Sequence, residues 1–307
     1  KMCPRTTKMS RTIETMDMPL FKRIVDQLRP HSWDTMFEWK SFVACHYQIP
    51  SDSHPSENHF YLHIIPEVMQ LHGYGDPLLD PMMPERCHYL SRRGFKPYFS
   101  CNPANINMEA LKSCIDNGLK VVKFSMESTD DATHKEIRGE KSNFTKSYND
   151  ILEIIRWQDC RPPSQRALIV ITMLDLNREN QGEDFRKLES LFKGTNAYVY
   201  LKSEDQQWYR KSFHGTKSIH WTEPCMHPWS TMTIKSDGSA AMCMEDYNNE
   251  HVFGNCKHES LFDIWNGERY HNFRLQQLAK RGDLKCVAEC DMPLFGDYCN
   301  DDIEPEG

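Results

Sequence analysis

The sequence predicts an α/β protein, a parallel sheet covered by helices and followed by a smaller cysteine-bearing domain. Short β-rich runs alternate with helical runs over the first two thirds of the chain. Repeated βα units fold as parallel strands with helices outside them, in an open sheet or a barrel. From about residue 203 the helical periodicity fades and the cysteines concentrate. We therefore expect two domains, at residues 1–210 and 211–307.

The elements follow in order. A helix is expected over residues 20–28, where Phe21, Ile24, Val25 and Leu28 share one stripe. Residues 32–66 interrupt the pattern and read as an insertion, a lid or a small hairpin. They carry Cys45, His46, His54, His59 and His63 at irregular spacing. Residues 68–71 form a strand that runs into the loop His72-Gly73-Tyr74-Gly75-Asp76-Pro77. A helix over 83–93 stops at Gly94, a strand covers 97–101, and a helix over 108–117 stops at Gly118. A strand at 121–126, a helix at 148–157 and a strand at 167–174 follow. A helix over 185–192 stops at Gly194, and a strand spans 197–201. Cys87, Cys114 and Cys160 fall on helical patterns, as small buried apolar residues do.

Composition narrows the function. The 307 residues hold 37 Lys and Arg against 44 Asp and Glu, a net charge of −7, with no basic block. Nucleic acid is not an expected partner. No apolar run approaches the roughly 18 to 20 residues of a membrane helix, so no membrane partner is expected either. Without a secretion signal a cytoplasmic location is expected, where thiols stay reduced. The twelve cysteines then read as metal ligands wherever they cluster.

They cluster as Cys225-x12-Gly238-x4-Cys243 and, 43 residues on, Cys286-x3-Cys290. The first pair frames a hairpin, with strands at 230–234 and 239–242 about the turn Ser236-Asp237-Gly238. Four thiolates so gathered suit zinc or an iron–sulfur cluster, and spacing alone does not choose between them.

The residues around them go further. Cys225-Met226-His227-Pro228-Trp229 opens the stretch. Val252-Phe253-Gly254-Asn255, Ser260-Leu261-Phe262-Asp263-Ile264-Trp265-Asn266-Gly267 and Phe273-Arg274 lead to the closing pair. This resembles the C-terminal auxiliary-cluster domain of radical S-adenosylmethionine (SAM) enzymes, called SPASM with two clusters and twitch with one. The resemblance implies one auxiliary 4Fe–4S cluster on Cys225, Cys243, Cys286 and Cys290. The family's closing pair is commonly Cys-x2-Cys, so Cys299 is the alternative fourth ligand.

Most of the remaining chain resembles the radical SAM core, a partial (β/α)6 barrel. Lys1-Met2-Cys3-Pro4-Arg5-Thr6 looks like the end of the family's Cys-x3-Cys-x2-Cys motif, with Cys3 as its third cysteine. The other two and the first strand are then expected upstream of Lys1. The resemblance makes Cys3 a ligand of the SAM-binding 4Fe–4S cluster, with Met2 beside it in the SAM site. Tyr74, Gly75 and Asp76 stand where the family has Gly-Gly-Glu-Pro, which receives the SAM amino group. Ser100 and Asn102 end one strand near the ligand. Ser125 and Glu127 end the next, suited to ribose and the methionyl part. Arg138, in Ile137-Arg138-Gly139, is placed to pair with the SAM carboxylate. Cys101, at the same end, is a candidate hydrogen-atom donor.

The implied activity is reductive SAM cleavage to a 5′-deoxyadenosyl radical, which abstracts a hydrogen atom from a substrate carbon. A small sugar or aminocyclitol-like metabolite, oxidised or epimerised, is the first expectation. The nearest comparison within the family shares the Cys-x17-Cys spacing. An electron donor such as flavodoxin or ferredoxin is the implied partner. The alternatives are a radical SAM maturase acting on a peptide or protein, and a non-enzymatic iron–sulfur or zinc protein.

Overall fold

The computed structural model describes residues 3–32, 34, 65–66, 68–176, 178–202, 228, 232–244, 246–278, 284 and 286. Helices α1 (Pro4–Thr7) and α2 (Met18–Val25) come first. Strands β1 (Pro30–His31) and β2 (Ile65–Pro66) pair in parallel, so the two ends of the 32–66 insertion meet. Cys45, His46, His54, His59 and His63 lie outside the described residues.

The main sheet is β3 (Val68–Gln70), β4 (Lys96–Cys101), β5 (Val121–Ser125), β6 (Leu168–Leu174) and β7 (Ala197–Lys202). These strands lie side by side in chain order, all parallel. The connections carry α3 (Met83–Ser91), α4 (Met108–Asp116), α5 (Asp131–Arg138), α6 (Phe144–Asp159) and α7 (Gln181–Phe192). An order that never reverses is that of a barrel segment wound one way, with no switch point of a doubly wound sheet.

Side-chain alternation decides what each sheet face holds. Phe99, Cys101, Val122, Phe124, Ile169, Ile171 and Met173 point to the helices. There they pack with Cys87, Leu111, Cys114, Ile151, Ile154 and Leu188 in one core. Each large apolar side chain buried there contributes about 1.5–3 kcal/mol. The alternate residues line the opposite, inner face. Cys101 is thereby corrected: strand parity turns it into the helix-side core at 4% exposure, away from the inner face. Burial pushes its thiol well above the ordinary range. Cys87 and Cys114 are buried as expected, whereas Cys160 caps the end of α6 and is exposed.

The C-terminal part is a three-stranded antiparallel sheet of β8 (Thr233–Ile234), β9 (Ser239–Ala241) and β10 (Val252–Asn255). Helices α8 (Leu261–Asn266) and α9 (Glu268–Leu278) follow it. The expected boundary near residue 210 falls outside the described residues. Helix α2 serves both parts. Phe21 and Val25 pack with Leu90 and Phe95 beside the barrel. Leu20 and Ile24 join Ala240, Phe253, Leu261 and Trp265. Gln27 Oε1 also accepts a hydrogen bond from Leu261 N at 2.8 Å.

Side-chain caps fix the helix starts. Asp17, Asn107, Asp130, Asn143 and Ser260 each accept a hydrogen bond from a backbone N–H in the first turn. Helix α4 stops where Gly118 takes φ +99°, a conformation that glycine adopts without strain. A Cβ built there would lie 2.5 Å from Ser91 Cβ at the end of α3. Gly118→Ala is therefore expected to cost about 1–3 kcal/mol. Chemical denaturation of the purified variant checks this, with a lowered midpoint and an unchanged m-value as the expected result.

Candidate functional site

Ligand-binding loops of barrel folds gather at the C-terminal ends of the strands. Here those loops are tied together by carboxylates. Asp76 follows β3. Its Oδ1 accepts from Leu78 N at 3.1 Å and caps the turn after it. Its Oδ2 accepts from Asn102 N at 2.8 Å and Asn105 Nδ2 at 2.9 Å, both beyond β4. Asn102 in turn accepts from Ala104 N through Oδ1. Asp76 and Asn102 thus share one network, with Asp76 holding the β4 loop in register. His72 adds a second tie, since Ser100 N donates to its Nδ1 at 3.1 Å.

Glu127 plays the same part between β5 and β6. It is 3% exposed, and its Oε2 accepts from Leu174 N at 2.7 Å. Arg138 Nη2 donates to Ser125 O at 3.1 Å and lies 3.9 Å from Glu127 Oε1. Ser125, Glu127 and Arg138 thus lie together, with the Glu127 carboxylate turned to the Leu174 backbone and the Arg138 guanidinium. Arg178, which sequence reasoning did not single out, donates to Glu127 O at 2.6 Å and to Asp184 Oδ2 at 3.1 Å. Burial acts to raise the Asp184 carboxyl. Hydrogen bonds from Thr129, Ser128 and Arg178 outweigh it and hold the carboxyl below its ordinary range.

Beside the loop after β3 the surface is open. A Cβ built on Gly73 or Gly75 would meet no atom within 4 Å. The backbone at these glycines is thus free to approach a ligand closely. Tyr74 turns the other way and packs edge-on against Tyr247 at 5.5 Å.

Tyr247 and Asn248 belong to the C-terminal part, and they also hold the segment after Cys3. Arg11 Nε donates to Tyr247 O at 3.0 Å, Ser10 N to Asn248 Oδ1 at 2.8 Å, and Asn248 Nδ2 to Lys8 O at 3.1 Å. Cys3 is partly exposed ahead of α1. Met2 lies outside the described residues.

The inner face of the sheet carries residues that sequence reasoning missed. Lys123, in the middle of β5, is 7% exposed. Its Nζ reaches Tyr200 Oη at 3.4 Å and lies 5.7 Å from the Tyr98 ring centroid. The signal was available in Val121-Val122-Lys123-Phe124-Ser125. A lysine inside a strand whose neighbours face a packed core must face the other way.

In the C-terminal part, Gly238 takes φ +85° in the turn joining β8 to β9. A Cβ there would approach Asn255 Oδ1 to 2.8 Å, so the glycine of the cysteine motif is required by space and by conformation. The hairpin leads directly to Cys243, which is 5% exposed. Lys235, 8% exposed, donates to Met244 O at 3.1 Å and Cys243 O at 3.5 Å. Cys286 is 7% exposed and lies in the same apolar cluster as Cys243.

Arg274 is fully buried, its guanidinium 4.2 Å from the Tyr270 ring and 4.5 Å from the Trp265 ring. It donates to Pro228 O and Trp265 O, both at 2.9 Å. It thereby holds the chain three residues beyond Cys225. Cys225 itself, Cys290 and Cys299 lie outside the described residues. Cys243 and Cys286, the two members of the cysteine motif among the described residues, share this apolar cluster, which suits a thiolate-held cluster. Cys256 is buried in the same apolar cluster, where burial and then Glu259 push its thiol up to about 11.

One buried group near the strand ends titrates. His134 on α5 is fully buried, and neither ring nitrogen has a hydrogen-bond partner. Burial first, then the Arg138 charge, lower its pKa to about 4, against the pull of Asp131 and Asp184. The unfolded chain binds a proton near pH 6.5 and the folded chain does not. Stability is therefore full above that pH and falls as the pH drops toward 4, by at most about 1.4 kcal/mol per unit. The variant His134→Leu is expected to lose this part of the acid dependence. Urea denaturation at pH 7 and pH 5 checks it, with a smaller loss in the variant.

The comparisons with known proteins agree with this geometry. Residues 225–291 match the SPASM family, an iron–sulfur cluster-binding domain. No curated protein matches the chain by sequence. Among solved structures, BtrN in complex with AdoMet and 2-DOIA superposes with a TM-score of 0.50 at 16% identity. That match covers 94% of this chain and 84% of BtrN. SuiB from Streptococcus suis, bound to S-adenosylmethionine, superposes with a TM-score of 0.52 at 11% identity. It covers 87% of this chain and 62% of SuiB. No helix among the described residues is long and apolar enough to cross a membrane. The chain thus carries a SPASM iron–sulfur cluster-binding domain behind a core with the partial-barrel fold of radical SAM enzymes.

Proposed function

We propose that this chain is a radical SAM enzyme that removes a hydrogen atom from a carbon of a small sugar or aminocyclitol-like metabolite and thereby oxidises or epimerises it. One observation carries the reading. The segment after Cys3, the loop around Gly75 and the SPASM domain meet at Tyr247 and Asn248. A SAM-binding cluster, a SAM-binding loop and an auxiliary cluster need that adjacency. When bound, the cluster and SAM supply a 5′-deoxyadenosyl radical.

The chain's own residues bind and orient. Cys3 would contribute one thiolate to the SAM-binding cluster, with Met2 beside it. Cys225, Cys243, Cys286 and Cys290 would hold the auxiliary cluster. The open backbone at Gly73 and Gly75 would receive the SAM amino group, while Asp76 keeps that loop against Asn102. Ser100 and Ser125 offer hydroxyls at the ends of β4 and β5. Arg138, beside Glu127 and Ser125, supplies a cation for the SAM carboxylate. Below them Lys123, Tyr98 and Tyr200 give the inner face polar groups with which to hold a hydroxylated substrate. An electron donor such as flavodoxin or ferredoxin is the partner this chemistry requires.

Four auxiliary-cluster cysteines and the Cys-x17-Cys spacing favour a small-molecule substrate. BtrN, solved in complex with AdoMet and 2-DOIA, is matched over most of its length. The full-length protein, reconstituted anaerobically and given a reductant, is expected to release 5′-deoxyadenosine from SAM. Asp76→Ala is expected to lower that release at least about tenfold, because the loop backbone leaves its register. Liquid chromatography of the quenched reaction checks both. Absence of 5′-deoxyadenosine from an iron-loaded wild type overturns the reading. Turnover of a peptide but no aminocyclitol overturns the substrate class.

A further inference from the structure

We propose that Gln277 raises the reduction potential of the auxiliary cluster through a hydrogen bond to its ligand Cys286. The inference rests on the reading of Cys286 as a cluster ligand and goes beyond it, to a residue outside the cysteine motif.

Gln277 lies on α9 and is 3% exposed. A primary amide is costly to bury unless its groups find partners. Its Nε2 donates to Cys286 Sγ at 3.0 Å. The contact is therefore built into the core, where solvent does not compete for the donor.

The same helix face grips the other end of the ligand set. Arg274, three residues earlier and so on the same side of α9, holds the carbonyl of Pro228 beyond Cys225. Its guanidinium lies against both the Tyr270 and Trp265 rings and donates to Trp265 O, which fixes α9 relative to α8. The Gln277 amide is thus carried on a rigid element, and its position does not depend on a mobile side chain reaching out of solvent.

A donor aimed at a cluster thiolate withdraws charge from the sulfur. The reduced cluster carries one more negative charge than the oxidised one, so it gains more from that donor, and the potential rises. The amide bears no net charge, so it tunes without adding a cation to the core. A raised potential suits an auxiliary centre that receives an electron more readily than it gives one.

The test uses the full-length protein reconstituted with both clusters, titrated redox-wise and followed by electron paramagnetic resonance. Gln277→Leu keeps most of the volume and removes the donor. Gln277→Glu keeps the shape and sets an acceptor against the sulfur. Both are expected to hold iron as the wild type does and to shift the auxiliary midpoint to more negative potential, Glu further than Leu. The SAM-binding cluster serves as the internal reference and stays where it was. Unchanged auxiliary midpoints in both variants overturn the proposal. So does loss of the auxiliary cluster from both, which makes Gln277 a structural residue only. A wild type that shows no auxiliary signal instead fails the assignment of Cys286, and the two failures are thereby distinguished.

Discussion

Parallel strands place every loop of one kind at one end of the sheet, but they do not by themselves hold those loops to one another. In this protein two carboxylates do so. Asp76 bonds the loop after β3 to the backbone after β4, and Glu127 bonds the end of β5 to the backbone ending β6. Each replaces water at backbone N–H groups that a parallel sheet leaves exposed where its ladder ends. Charge-assisted bonds of this kind are stronger than neutral ones. Asn102 is bonded to Asp76 directly and Ser100 lies two positions before it, while Ser125 lies two positions before Glu127 with Arg138 bonded to its carbonyl.

The second dependence is between the barrel and the SPASM domain. Helix α2 has apolar residues on two faces, one for each partner. The loop at Tyr247 and Asn248 then touches both the segment after Cys3 and the glycine loop. A change in the C-terminal domain therefore reaches the core through packed rings and backbone hydrogen bonds. The buried Arg274 works at shorter range, joining α9, α8 and the chain beyond Cys225.

Much of this was legible in the sequence, for physical reasons that differ between elements. The strands at Pro97-Tyr98-Phe99-Ser100-Cys101 and Ala167 to Leu174 are β-branched or aromatic runs closed by turn residues, and glycines mark the helix stops. Helix α5 was not legible, because among its eight residues only His134 is buried, and a helix with so little apolar surface has no stripe to read. The third strand of the C-terminal sheet, β10, is four residues long with Gly254 inside it, below the length at which alternation speaks. At the site, residue types were readable and partners were not. Glu127 is read from sequence as a ligand-facing acid, and its carboxylate also bonds the Leu174 backbone at the end of β6. Cys101 lay at the right end of its strand, but parity sends it to the core. The inward placement of Lys123 could be read from its strand neighbours, whereas Gln277 carries no motif and its placement emerges only from helix α9 lying beside Cys286.

Mössbauer spectroscopy of the full-length protein loaded with enriched iron tests the functional reading most directly. Two 4Fe–4S clusters are expected, and one iron of one cluster is expected to change its spectrum when SAM is added. A single cluster that is blind to SAM, or a zinc-loaded chain without iron, would contradict the assignment of Cys3 and of the glycine loop together.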